Sequence, residues 1–364
     1  MRVYFHLFLG LAFADADLSP SSVPDVFIRS PGVFRCGPSV VTLANIQEGI
    51  AHLVRDISSA IDKLKLGLPI TVNTALIRDD LSETRPGFMF GYNGPEKLNY
   101  SHALLMFIMS SEKLRDKYCT RKGFVEHSVV KWLTKYDNLE RKILLLIHLL
   151  SGLPARGTEL ATYKLRNGPS CLRSVYVEDG RIFFMPIYNK TRNVSRKNKF
   201  IVRFMDSRSS QLILEDIILL RPLAAAFNRS LDRNVNNIYE SEFFVLSGRV
   251  MTDEKIRETF SEQFNRYCKS PLLFSSYRQL SAALAWECHI IPHEDLNEEE
   301  IDDEADDDRN SYIAMQFGHE HKMSMKRYGR TNKVCHRHAF LLFCWERASL
   351  VSFLLELILL RNTQ

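Results

Sequence analysis

The sequence predicts a mostly α-helical α+β protein with one small antiparallel sheet, and three observations lead there. Leu144, Leu145, Leu146, Ile147, Leu149 and Leu150 form a dense apolar run that Gly152 and Pro154 break, the pattern of a buried helix with a sharp stop. Residues 174–190 read as two strands around an Asp179-Gly180 turn, and Phe200–Phe204 supplies the next strand. Small and apolar residues recur at helical spacing from Leu273 to Trp286, so this segment predicts a second buried helix.

The remaining elements follow in chain order. Residues 1–38 read as an apolar start and a loop-like stretch, with Pro20, Pro24, Pro31 and Pro38 spread over 18–38. The apolar residues 3–13 follow Arg2, small residues come next, and Ala12-Phe13-Ala14 and Ala14-Asp15-Ala16 both fit an A-x-A cleavage pattern, which resembles a short signal peptide. The rival reading is a buried apolar start or the truncated edge of a longer reading frame. Residues 39–134 form a helical N-terminal region, with patterning at about 40–66, 97–118 and 123–134 and an irregular stretch containing Pro69, Pro86, Gly87, Gly91 and Pro95. A larger domain follows over 135–332, with further helices near 208–227 and 253–267, and an apolar C-terminal helix over 333–364. Glu346, Arg347 and Glu356 interrupt that last helix, so a membrane span is not expected. The 364 residues suffice for two domains.

Charge is unevenly spread. The chain carries a formal +5, yet Glu294–Asp308 holds eleven acidic residues in fifteen and no basic one. Self-repulsion and low apolar content predict an insertion without fixed structure over 292–310. Setting the eleven acids aside leaves +16 on the remainder, a basic body suited to a polyanion. Arg192, Arg196, Lys197, Lys199 and Arg203 form one basic cluster around the predicted hairpin, and Lys113, Arg115, Lys117, Arg121 and Lys122 form another. Both are candidate phosphate contacts. The seven scattered cysteines show no disulfide framework, and Cys335-His336-Arg337-His338 lacks a four-ligand metal pattern.

Three separated segments carry chemistry. Ser151-Gly-Leu-Pro-Ala-Arg-Gly-Thr-Glu-Leu160 places Arg156 at or near a helix start, with Glu159 three residues on to hold the guanidinium. Arg278 lies in the first turns of the helix at 273–286, where a buried guanidinium needs an anion or acceptor. Gln316-Phe-Gly-His-Glu-His-Lys-Met-Ser-Met-Lys-Arg-Tyr-Gly-Arg330 sets His319 and Tyr328 nine residues apart. A phenol and an imidazole at a fixed offset can serve phosphoryl transfer, one attacking phosphorus and the other hydrogen-bonding the developing charge.

In order and spacing, Arg156, Arg278, Gly318-His319 and Tyr328 resemble the motifs of the tyrosine recombinase and integrase family, over roughly residues 130–330. The wording looks most like fungal Crypton-type recombinases and the recombinase-like region of fungal subtelomeric RecQ-like helicases. The resemblance implies a helical DNA-clamp region before a catalytic domain, with residues 39–134 in the place of the core-binding domain. It also implies that Arg156 and Arg278 clamp the scissile phosphate, that His319 assists, and that Tyr328 is the nucleophile of a 3′-phosphotyrosyl intermediate. The family's general-acid lysine falls on Lys190, with Lys197 and Lys199 as rivals. Ser275 stands where many members have a histidine. Arg278 and His319 lie farther apart than in compact members because of the acidic insertion. The family needs no metal and no high-energy cofactor.

The implied partners are double-stranded DNA and further copies of the chain, joined on DNA through the C-terminal helix. The implied location is the nucleus. The alternative is a catalytically degenerate DNA-binding remnant of a mobile element, or the accessory region of such a helicase. No G-x-x-x-x-G-K-[ST] motif occurs, so the chain carries no P-loop motor. A secreted or membrane protein is the third reading, supported only by the two apolar ends.

Overall fold

A computed structural model describes residues 26–30, 32–91, 100–152, 154–186, 202–231 and 238–287. Strands β1 (Val26–Ser30), β2 (Val33–Cys36) and β3 (Ser39–Thr42) form an antiparallel meander in which Phe34 pairs with Val41. This corrects the loop expected up to residue 38. Gly32 and Gly37 take positive φ, +73° and +57°, so the Pro-Gly and Gly-Pro pairs punctuate hairpins rather than mark a loop. Phe34, Cys36 and Val41 face the core.

Helix α1 (Leu43–Leu64) starts where the Thr42 hydroxyl accepts from the Asn45 amide at 3.1 Å. Its stripe of Ile46, Ile50, Leu53, Ile57, Ile61 and Leu64 is buried. After a mostly irregular segment come α2 (Ala103–Ser110), α3 (Glu112–Tyr118) and the short ribbon of β4 (Cys119–Thr120) and β5 (Gly123–Phe124). Helix α4 (Glu126–Leu150) is one rod of 25 residues, so the expected boundary at 134/135 falls inside it. Residues Ile143–Leu150 are buried all round, as the dense apolar run requires. The Trp132 indole donates to the Leu64 carbonyl at 3.1 Å, and one apolar core includes residues of α1 and α4 together.

The short helix α5 (Gly157–Leu160) leads to β6 (Val175–Glu178), β7 (Arg181–Phe184) and β8 (Arg203–Phe204), an antiparallel sheet in that order. The β6–β7 turn is at Asp179-Gly180, with φ of +47° and +72°, the signature of a tight mirror-image hairpin turn. Next, α6 (Ser207–Glu215) and α7 (Arg221–Leu231) are joined by a π-helical segment, Asp216–Leu220, in which the Arg221 amide donates to Asp216, five residues back. Pro222 explains the widened turn, because its ring would clash with the carbonyl four residues earlier in a regular helix. Helix α8 (Ile238–Ser241), the ribbon β9 (Val245–Leu246) and β10 (Arg249–Val250), α9 (Asp253–Cys268) and α10 (Phe274–Glu287) complete the described chain. The class is mostly α with small antiparallel sheets, as expected. Among the described residues no helix is long and apolar enough to cross a membrane; the C-terminal apolar segment lies outside them.

Two buried arginine centres tie the layers together. Arg173 is fully enclosed. It donates to Asp79 at 2.7 Å and to the carbonyls of Asp80 and Glu83, and its guanidinium lies over the rings of Phe88 and Tyr176. It therefore pins the irregular segment after α1 onto the β6–β7 hairpin. Arg221 Nη2 donates to both oxygens of Glu140, at 3.0 and 2.9 Å, while Nη1 reaches the Glu242 carbonyl. Asp216 stands 3.5 Å away. Complete burial of two carboxyls around one guanidinium pushes both their pKa values up, Glu140 well above the usual range.

Candidate active site

The site begins where α4 stops. Gly152 takes φ +89°, and the chain turns through Pro154 to Arg156, the residue that caps α5. The Arg156 amide donates to Glu159 Oε2 at 3.2 Å, which satisfies one of the helix's open N-terminal donors. The guanidinium itself approaches Glu159 Oε1 at 3.9 Å, as the three-residue spacing predicted. Arg156 Nη1 is enclosed and has no hydrogen-bond partner among the described residues. A buried guanidinium donor without an acceptor is costly, and an anion at that point would satisfy it.

Arg278 reaches the same turn from a segment 122 positions later. It stands in α10, and its Nε donates to the Pro154 carbonyl at 3.2 Å, two residues before Arg156. The two arginines assigned to one phosphate by separate motifs are therefore brought to one loop. Ser275, in the first turn of α10, is exposed.

Arg203 departs from its expectation. It was grouped with a surface cluster of phosphate contacts, yet only 2% of it is exposed, and its Nη2 donates to Glu159 Oε2 at 3.2 Å. Its neighbour Phe204 is the exposed member of β8 at 40%. The buried Glu159 carboxylate explains the inversion, since it needs a charge partner that Arg156 at 3.9 Å only partly supplies. Arg203 thus supports the site from behind. Tyr163 packs alongside, and burial pushes its phenol up to about 12.

His148 was missed. It is the single polar side chain within Ile143–Leu150, which was the available signal. Its ring stacks on Phe274 at 4.2 Å and meets Phe260 edge-on at 4.9 Å, and neither ring nitrogen has a hydrogen-bond partner among the described residues. Burial, and then the guanidinium charges of Arg278 and Arg203, hold its pKa well below the ordinary histidine range, so the imidazole is neutral.

Gly157 explains the closeness of the next layer. A Cβ there would run into Asp253 Oδ1 and stand 3.3 Å from Arg257 Nε, so α9 lies directly on the start of α5. Lys190, Arg192, Arg196, Lys197, Lys199, His319 and Tyr328 lie outside the described residues, as does the acidic insertion.

The described part of the site brings Arg278 to the loop that carries Arg156, with the buried Glu159 carboxylate beside the Arg156 backbone and guanidinium. No protein-family model matches the chain, and no solved structure matches it.

Proposed function

We propose that the chain is a tyrosine-recombinase-like protein that binds duplex DNA in the nucleus and breaks and rejoins it through a 3′-phosphotyrosine. One observation supports this most. Arg156 and Arg278, assigned to one phosphate from motifs far apart in sequence, meet at the turn 154–156 through the 3.2 Å contact of Arg278 Nε with the Pro154 carbonyl. Convergence of that kind is demanded by a shared phosphate and is not expected of two unrelated ion pairs.

In this mechanism Arg156 and Arg278 bind the non-bridging oxygens and draw charge off phosphorus. The Tyr328 phenol loses its proton to water, favoured by the nearby cationic charge, and its oxygen attacks, so that a phosphorus–oxygen bond to tyrosine forms and the bond to the 5′ oxygen breaks. Lys190 gives that oxygen its proton, leaving a free 5′ hydroxyl, and His319 hydrogen-bonds the phosphate. Reversal with a different 5′ hydroxyl completes strand transfer. The C-terminal helix joins copies of the chain on DNA.

Ser275 favours a second reading, in which the chain binds DNA but has lost cleavage, because a serine cannot supply the general-base help of the histidine many members carry there. The two separate in one assay. Purified protein is incubated with nicked duplex from the ends of a mobile element and denatured in SDS. The active reading expects a covalent protein–DNA band that Tyr328→Phe abolishes. A band that survives this substitution removes the nucleophile assignment, and binding without any band supports the degenerate reading.

A further inference from the structure

Helix α9 brings a third guanidinium to the arginine site. Arg257 Nε and Nη2 donate to the two oxygens of Asp253, at 2.9 and 2.6 Å, one helical turn earlier. This paired unit rests on the backbone of Gly157, the residue next to Arg156, and the absence of a side chain there is what admits it. The Arg257 side chain is 57% exposed, whereas that of Arg156 is 17% exposed, so Arg257 is the more open of two arginines brought to neighbouring positions of one turn. The inner donor, Arg156 Nη1, is enclosed and has no hydrogen-bond partner among the described residues. The outer one is held over the same turn by a carboxylate that is itself only 30% exposed.

An ion pair between residues four apart on an open helix is usually worth little. This one has a feature that such pairs lack, because it is seated against the loop that carries the phosphate-clamping arginine. A polyanion entering the site offers the guanidinium a second acceptor beside Asp253.

We propose that Arg257 is a further backbone-phosphate contact at the mouth of the arginine site, with Asp253 as its placeholder when DNA is absent. The contact is to the phosphate next to the one held by Arg156 and Arg278. The inference rests on the DNA-binding reading above.

The test uses the full chain and a labelled duplex of mixed sequence, with affinity followed by fluorescence anisotropy between roughly 50 and 250 mM KCl. Arg257→Gln should lower the slope of log affinity against log salt by about one and weaken binding about tenfold. Arg257→Lys should keep the slope. Asp253→Asn, which removes the competing carboxylate, should tighten binding. An unchanged slope in Arg257→Gln, with wild-type protein binding in a salt-dependent way, overturns the role of Arg257 and leaves the DNA reading intact. Wild-type protein that shows no affinity for duplex overturns both. Circular dichroism melts that superimpose for the variants establish that the fold is unchanged.

Discussion

The arginine at the turn 154–156 and the arginines at the two buried centres differ in how their terminal nitrogens are engaged, although Arg173 and Arg221 each leave an enclosed Nε without a hydrogen-bond partner among the described residues. Arg173 and Arg221 give every terminal nitrogen an acceptor: carboxylates at 2.7 to 3.0 Å, and backbone carbonyls beside them. Arg156 Nη1 is enclosed, has a carboxylate only at the longer distance of 3.9 Å, and has no acceptor within hydrogen-bond distance among the described residues. Glu159, which could have closed on it, is shared with Arg203 and with the Arg156 backbone. A guanidinium with all its terminal donors engaged organises a core. One whose counter-charge is divided keeps a donor for something else. The residue type is the same, and the local supply of carboxylate decides the use.

This contrast can be broken at either end. The largest effect is expected at Arg173. Arg173→Leu leaves Asp79 buried without its cation and frees the segment around Asp80 and Glu83, so urea denaturation should show a loss of about 3–5 kcal/mol. Burial already pushes the Asp79 carboxyl up, and losing the guanidinium pushes it further.

An intermediate effect is expected from pH at His148. Its folded pKa is depressed, so the unfolded chain binds the extra proton first as pH falls. Stability should therefore be full above about 6.5 and decline below it, by up to about 1.4 kcal/mol per pH unit. His148→Leu, which fills the same apolar niche without a titrating group, should flatten that part of the profile. A wild-type curve that is already flat between neutral and mildly acid pH would mean that the imidazole is not held neutral.

The smallest effect on stability is expected at Arg156. Its backbone, not its side chain, caps α5, so Arg156→Gln should change unfolding free energy by less than about 1 kcal/mol. Its affinity for duplex DNA at low salt should nonetheless fall. A stability loss as large as that of Arg173→Leu would erase the distinction between the two kinds of site.

How much of this was legible in the sequence depended on whether the deciding force was local. The hairpin at Asp179-Gly180, α9 and α10 all carry their own period and their own turn or cap chemistry. The turn and both helices stand where the pattern placed them, the helices within a residue or two, but β7 stops at Phe184, short of the strand end expected near residue 190. The meander β1–β3 did not, because its strands are four or five residues long and its prolines look like loop punctuation until their glycine neighbours are seen to close hairpins. The break expected at 134/135 vanished into α4 because helical period says nothing about where one packed unit ends. Around the turn 154–156, the three-residue spacing put Glu159 beside Arg156, while the inward turn of Arg203 and the burial of His148 were not foreseen. Arg203 turns inward for a carboxylate 44 positions away in sequence, and His148 gains its neutral state from side chains on α9, α10 and β8. Both are tertiary facts that no short window contains.

The widened turn ahead of Pro222 has a consequence for the Arg221 centre. On a regular helix, residues five apart point about 140° away from each other, so Asp216 and Arg221 would look toward different neighbours. With one extra residue in the turn, residues five apart come nearer to the same side, and Arg221 meets both Asp216 at 3.5 Å and Glu140 on α4 at 2.9 Å. The surplus residue acts as a phase shifter. It rotates α7 relative to α6 by about a quarter-turn or more, so the two halves of one continuous helix present unrelated faces to the core. Glu140 and His148 sit two turns apart on the same rod, so through Arg221 and Glu140 the widened turn is tied to the helix whose end leads into the arginine turn.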